Sequence, residues 1–318
     1  MSLNLSITFP EDESEDWSLE HKTRDILIPY LQPTSQTSPA ATAIDLIALC
    51  QSEAEKQNLA QRALGEGFWH MTWEIVFKLA EQIPAAHTSQ DRLVALIRAL
   101  GDADVQPPNP YAELPHMGIV LSERFHRKQF LPWADNQLSS FLCFTYCSGP
   151  FTDAARPPTE VSTAPPAPGT GLDQSQWKNL NALSARLCQA GIVVRSSDAI
   201  IAIAEALEKR PDPRSRAYQA RDPLLNFHVP IAADWIIRCA EQLYAVVRSG
   251  EVEGAGCPWK KRRGIFKERW SFWKEQFVEI AEREEACEEG IKEVARKAAE
   301  RMDEVERDGW GHSEIRSQ

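Results

Sequence analysis

The sequence predicts an all-α fold, a multi-helix bundle with a Pro-rich disordered insertion around residues 152–172. Three observations predict it. Apolar residues recur at steps of three and four along most of the chain, the repeat of one helix face. Strand-like alternation is scarce, and the short β-branched run Ile192-Val193-Val194 lies in a turn. Clusters of Pro, Gly, Ser and Thr punctuate the periodic segments at spacings that suit helices.

Residues 1–16 read as a flexible acidic tail, with Glu11, Asp12, Glu13, Glu15 and Asp16. Asp16 or Ser18 can cap a helix to about Leu31, with Leu19, Ile26, Leu27 and Tyr30 on its apolar side. Ser38-Pro39 starts a second helix, because Pro suits the first helical position. Gly65 and Gly67 are expected to interrupt it. Phe68 to Ala80 is apolar almost all round, the mark of a central helix. Ser89 then caps a short helix carrying Leu93, Leu96, Ile97 and Leu100. Residues 102–116, rich in Pro, read as an irregular connection, and Phe125 to Tyr146 as one or two helices.

The segment 148–172 cannot build a core and reads as a linker. We expect it to interrupt one helical domain, 17–306, because short helical halves bury little surface alone. Asp173 caps a helix with Trp177, Leu180, Leu183 and Leu187 on one face, ended by Gly191. Ser196 or Ser197 caps another. Pro230 is expected to open a helix to about Val247, with Trp235, Ile236, Cys239 and Leu243 inward. Phe266, Trp270, Trp273, Phe277 and Ile280 follow at steps of four, three, four and three. That aromatic stripe is expected to gather the helices of Trp177 and Trp235. It continues through Cys287, Ile291, Val294, Ala298, Met302 and Val305 as one long helix or two joined near Gly290, and residues 307–318 read as a tail.

The chain of 318 residues is 43% hydrophobic and 25% charged, the composition of a globular protein. Its net charge of −11 argues against nucleic acid and against an anionic membrane surface as partner. No run approaches a membrane span and no secretory leader is visible, so a cytoplasmic protein with reduced cysteines is expected. The spacing of Cys143 and Cys147 suits two metal ligands, but no second Cys or His pair completes a site. Asp102 and Asp104 are a helix-end loop. No metal site and no cofactor motif is expected, for no phosphate loop, dinucleotide fingerprint, nucleophile elbow or zinc-helix pattern occurs.

Three motifs taken together resemble a large fungal family known only as a domain of unknown function. They are Trp177-Lys178-Asn179-Leu180-Asn181-Ala182 with Ala185-Arg186-Leu187, Pro230-Ile231-Ala232-Ala233-Asp234-Trp235-Ile236, and Glu268-Arg269-Trp270-Ser271-Phe272-Trp273-Lys274. The stretch from Gln90 to Leu100 looks like the family's N-terminal part. The resemblance implies a fungal, intracellular, helical protein and supplies no catalytic residues.

Candidate chemistry rests on four polar residues. His70 and Glu74 are one helical turn apart among Trp69 and Trp73, where a histidine beside a carboxylate can act as general acid or base. The competing reading is a core histidine satisfied by its own helix. Asn179 and Arg186 lie opposite Trp177 and can face a ligand or a second layer; a buried Arg186 needs an acidic partner. Asp234, Arg238 and Glu241 read as a solvated edge. Lys260-Lys261-Arg262-Arg263 is a basic run that either serves nuclear import or pairs with acidic residues. Ten tryptophans can pack a core or wall an apolar pocket, and Trp73, Trp177, Trp235, Trp270 and Trp273 are the candidate wall. The leading expectation is a cofactor-independent tailoring enzyme, a cyclase or isomerase, acting on a hydrophobic small molecule in fungal secondary metabolism, with a homodimer left open. The alternative is a non-catalytic helical interaction or scaffold protein that uses an exposed stripe along 287–305.

Overall fold

A computed structural model describes residues 2–9, 18–56, 61–103, 114–126, 172–208, 223–249, 259–260, 262, 264–282 and 288–311. The expected Pro-rich insertion as far as residue 171 lies outside the described residues, as do 127–146 of the helices expected from Phe125 to Tyr146, with Cys143 and Cys147. Among those residues the helices are α1 (Ser18–Leu31), α2 (Pro39–Lys56), α3 (Gln61–Gln82), α4 (Ser89–Gly101), α5 (Met117–His126), α6 (Gln174–Gln189), α7 (Ser196–Leu207), α8 (Pro223–Ser249), α9 (Lys267–Glu282) and α10 (Glu289–Gly311). No strand occurs among them, only an isolated antiparallel bridge between Trp259 and Arg262. The fold is all-α. No helix of the described residues is long and apolar enough to cross a membrane.

The described residues form two compact units, 2–126 with 172–193, and 194–311. In the first, α3 is central and packs against α1, α2, α4, α5 and α6. The cause is its composition: Phe68, Trp69, Trp73, Val76, Phe77, Leu79 and Ala80 are all buried. Each large apolar side chain removed from water contributes about 1.5–3 kcal/mol. That burial explains one correction. Gly65 and Gly67 were expected to break the helix, yet α3 runs through both. A glycine costs about 1 kcal/mol in a helix, less than one buried aromatic returns.

Helix α6 starts where expected. Asp173 Oδ1 accepts from the Gln176 backbone N–H at 2.8 Å, and Gln176 Oε1 accepts from the Asp173 N–H at 2.9 Å, a reciprocal cap. It ends at Gly191, whose φ of +70° suits glycine. There the Ile192 N–H reaches the Leu187 carbonyl at 3.0 Å and the Gly191 N–H reaches the Cys188 carbonyl at 2.9 Å.

In the second unit α8 packs on α7 and α10, and α9 packs on α10 and α7. The aromatic stripe of α9 is buried as predicted: Trp270, Trp273, Phe277 and Ile280 are 0–1% exposed. Its partners differ from those expected, since α6, which carries Trp177, packs on α3 and α4 in the first unit. Pro230 does not open α8 but lies inside it. Leu225 and Val229 upstream of the proline are buried, so packing holds a turn that the missing N–H cannot. Beyond Glu282 the chain resumes in a separate helix, α10, which carries the expected C-terminal tail as far as Gly311. Of the stripe expected along 287–305, Ala298, Met302 and Val305 are buried and Ile291 and Val294 half-buried, while Cys287 lies outside the described residues.

Candidate functional site

The first unit gathers charged and titratable side chains where α3, α5 and the turn before α5 meet. Glu74 and Glu81 are seven residues apart on α3, so both face one side. Arg124 of α5 answers them. Its Nε donates to Glu81 Oε1 at 2.7 Å, one terminal nitrogen to Glu81 Oε2 at 2.5 Å, and the other to Glu74 Oε2 at 3.2 Å. Arg124 and Glu81 are buried, while the Glu74 side chain keeps 18% of its exposure. Burial pushes the Glu81 carboxyl above its ordinary range, against the opposing pull of Arg124.

The turn is held by α3 as well. Trp73 Nε1 donates to the Pro115 carbonyl at 2.8 Å. Leu114 and His116, on either side of Pro115, adopt φ of +47° and +64°. Such left-handed backbone in non-glycine residues persists where surrounding structure enforces it, often at working sites. Here it brings the His116 ring to 6.5 Å from the His70 ring, edge to face. His70 is exposed and His116 half-buried. Exposure falls from His70, which is exposed, through the half-buried His116 and Glu74, to the buried Arg124 and Glu81. The arrangement can accept and return protons.

The other predicted polar residues serve the scaffold. Asn179 Nδ2 donates to the Glu81 carbonyl at 2.8 Å, and the Asn179 carbonyl accepts from Gln90 Nε2 at 3.3 Å. Arg186 has the acidic partner its burial required: Nε donates to Asp91 Oδ1 at 2.8 Å, and its terminal nitrogens reach the Ala182 and Ala85 carbonyls at 3.0 and 2.9 Å. Both residues fasten α6 to the α3–α4 corner. Their link to the site is indirect, through the backbone of Glu81.

The five tryptophans divide between the units. Trp73 is fully buried, with its ring centroid 5.8 Å from Trp69 and 6.3 Å from Phe77. Trp177 meets the ring of Phe125 edge-on at 5.0 Å and so backs α5 one residue beyond Arg124. In the second unit Trp235 is fully buried. Trp270 Nε1 donates to Glu306 at 2.9 Å, and Trp273 Nε1 to Glu208 at 2.6 Å. Glu208 also takes both prongs of Arg269, at 2.8 and 3.0 Å. These rings occupy core positions. A depression of about 530 Å³ on α10 is lined by Glu300, Asp303, Glu304, Glu306 and Arg307, and includes none of them.

The charged edge behaves as a surface. Arg238 pairs with Asp234 at 2.8 Å, both partly exposed, and Glu241 with Arg301 at 2.6 Å. Of the basic run, Lys260 lies over the Trp259 ring at 4.2 Å and Arg262 lies 3.7 Å from Glu268. Lys261, Arg263 and Asp104 lie outside the described residues. Sequence reasoning missed Arg124, Glu81 and His116. The seven-residue spacing of Glu74 and Glu81, and the helical spacing of Met117, Val120, Leu121 and Arg124, were visible signals.

Comparison with known proteins gives a family and no named relative. No curated protein and no solved structure matches the chain. A family model does match, over residues 73–277, a span that begins at Trp73, holds Glu74, Glu81, His116 and Arg124, and closes on the α9 stripe at Phe277. With well over half its length covered, the chain belongs to DUF3632, a family of proteins of unknown function.

Proposed function

We propose that the chain is a cofactor-independent tailoring enzyme of the isomerase or cyclase type, with His70 and His116 as its acid–base pair. The single observation that carries this is the left-handed turn that sets His116 beside His70. Isomerisation and cyclisation need a proton delivered at one atom and removed at another, and two imidazoles of adjustable charge can do both. Arg124 fixes the Glu74 carboxylate, one helical turn from His70, in one position. A hydrophobic small molecule of fungal secondary metabolism is the substrate class that goes with this reading, argued from the tryptophan and phenylalanine content and the sequence's lack of cofactor motifs together with the family resemblance.

Deletion of the gene in its source organism, followed by comparison of small-molecule extracts, tests it. The wild-type gene should restore a compound lost on deletion, and His70→Ala and His116→Asn should not. Asparagine is chosen because it tolerates positive φ, so the imidazole is lost and the turn kept. No metabolite difference, or full restoration by both variants, would sink the proposal.

A further inference from the structure

Residues 2–9, expected as flexible tail, are docked, and the way they are held is a recognition device separate from the acid–base reading. Exposure alternates along them: Leu5 and Ile7 are buried, while Asn4, Ser6 and Thr8 face solvent. That period of two is the signature of extended chain. Two glutamines read its backbone. The Leu3 N–H donates to Gln32 Oε1 at 3.0 Å, and Gln32 Nε2 donates to the Leu3 carbonyl at 3.2 Å. The Ser6 N–H donates to Gln82 Oε1 at 2.9 Å, and Gln82 Nε2 donates to the Ser6 carbonyl at 2.9 Å. One side-chain amide therefore satisfies both backbone groups of one residue, and this happens twice.

In extended chain the N–H and C=O of a residue point to the same edge, and successive residues alternate edges. Leu3 and Ser6 differ by an odd number, so the segment is gripped from both edges. Gln32 follows the last residue of α1 and Gln82 ends α3, so the grips stand at two helix ends. Leu5, between the grips, and Ile7, just past the second, are both buried. Phe9 is fixed at the far end, its ring 4.9 Å from His21 and under Arg24 at 5.9 Å. Affinity from main-chain bonds and selectivity from alternate side chains is how proteins bind extended peptides.

We propose that the seat between α1 and α3 is a peptide-binding groove filled in cis by residues 2–9, and that its ligand in trans is the same segment of a second copy of this chain. The occupant is argued from the segment seated there: spacing, backbone bonds and buried side chains already match it. Exchange between copies reproduces every contact, which makes it a low-cost route to association.

The test uses the full chain carrying Leu5→Asp and Ile7→Asp, which frees the seat, and a fluorescein-labelled peptide of residues 2–9. By anisotropy the peptide should bind this variant about tenfold more tightly than it binds wild type, whose seat is filled. Adding Gln32→Ala and Gln82→Ala should weaken that binding by about tenfold or more. Equal binding by all three chains overturns the proposal, as does no binding by a variant that melts cooperatively. If the double aspartate variant does not fold, hydrogen exchange on the wild-type chain decides. Excess unlabelled peptide should speed exchange at the Leu3 and Ser6 amides severalfold, and unchanged rates overturn the proposal.

Discussion

Arg124 is the residue on which the first unit's charge balance turns. A guanidinium this buried is tolerable only because two carboxylates meet it, and removing one side of such a cluster leaves a buried charge alone. Arg124→Ala should therefore cost about 3–5 kcal/mol at neutral pH, measured by urea unfolding. The cost should shrink in acid, where Glu81 takes up a proton instead. The sign for Glu81 itself follows from its raised folded value. A carboxyl raised on folding contributes stability that is fully present below its ordinary value near 4.5 and lost as pH rises through the folded one. Wild type should thus lose stability relative to Glu81→Gln as pH climbs through that window, and a flat difference would contradict the assignment. Little of this was legible at the residue scale. His70 and Glu74 could be picked from the sequence because they share a helix turn. The roles of Arg124 and His116 could not, because their contacts to α3 span 50 and 46 residues of chain.

At the scale of the element, local signals were read well wherever local physics decides. Asp173 and Gly191 bracket α6 because a side-chain cap and a left-handed glycine satisfy helix ends without tertiary help. Predictions failed where packing outvoted propensity, at Gly65, Gly67 and Pro230. Gly67 makes this testable. It is exposed, its backbone does not require glycine, and an added methyl would meet nothing within 4 Å. Gly67→Ala should stabilise the protein by about 0.4–1 kcal/mol, chiefly by restricting the unfolded chain. A loss of stability would mean that α3 does not continue through this position.

At the scale of the whole molecule, two compact units predict unfolding in more than one step. Trp73→Ala removes a fully buried ring from the first core and Trp270→Ala one from the second. Each should cost about 3–5 kcal/mol and shift a different thermal transition. A single transition moved equally by both would show one cooperative unit instead. The sequence by itself determined the all-helical class, most helix positions and the burial of the aromatic stripes, because periodicity and capping are encoded within a few residues. Only the tertiary structure decided which helices share a core, which polar residues brace the scaffold and which face solvent, and that residues 2–9 are held rather than loose. Those outcomes depend on contacts between residues far apart in the chain, whose energies no local pattern carries.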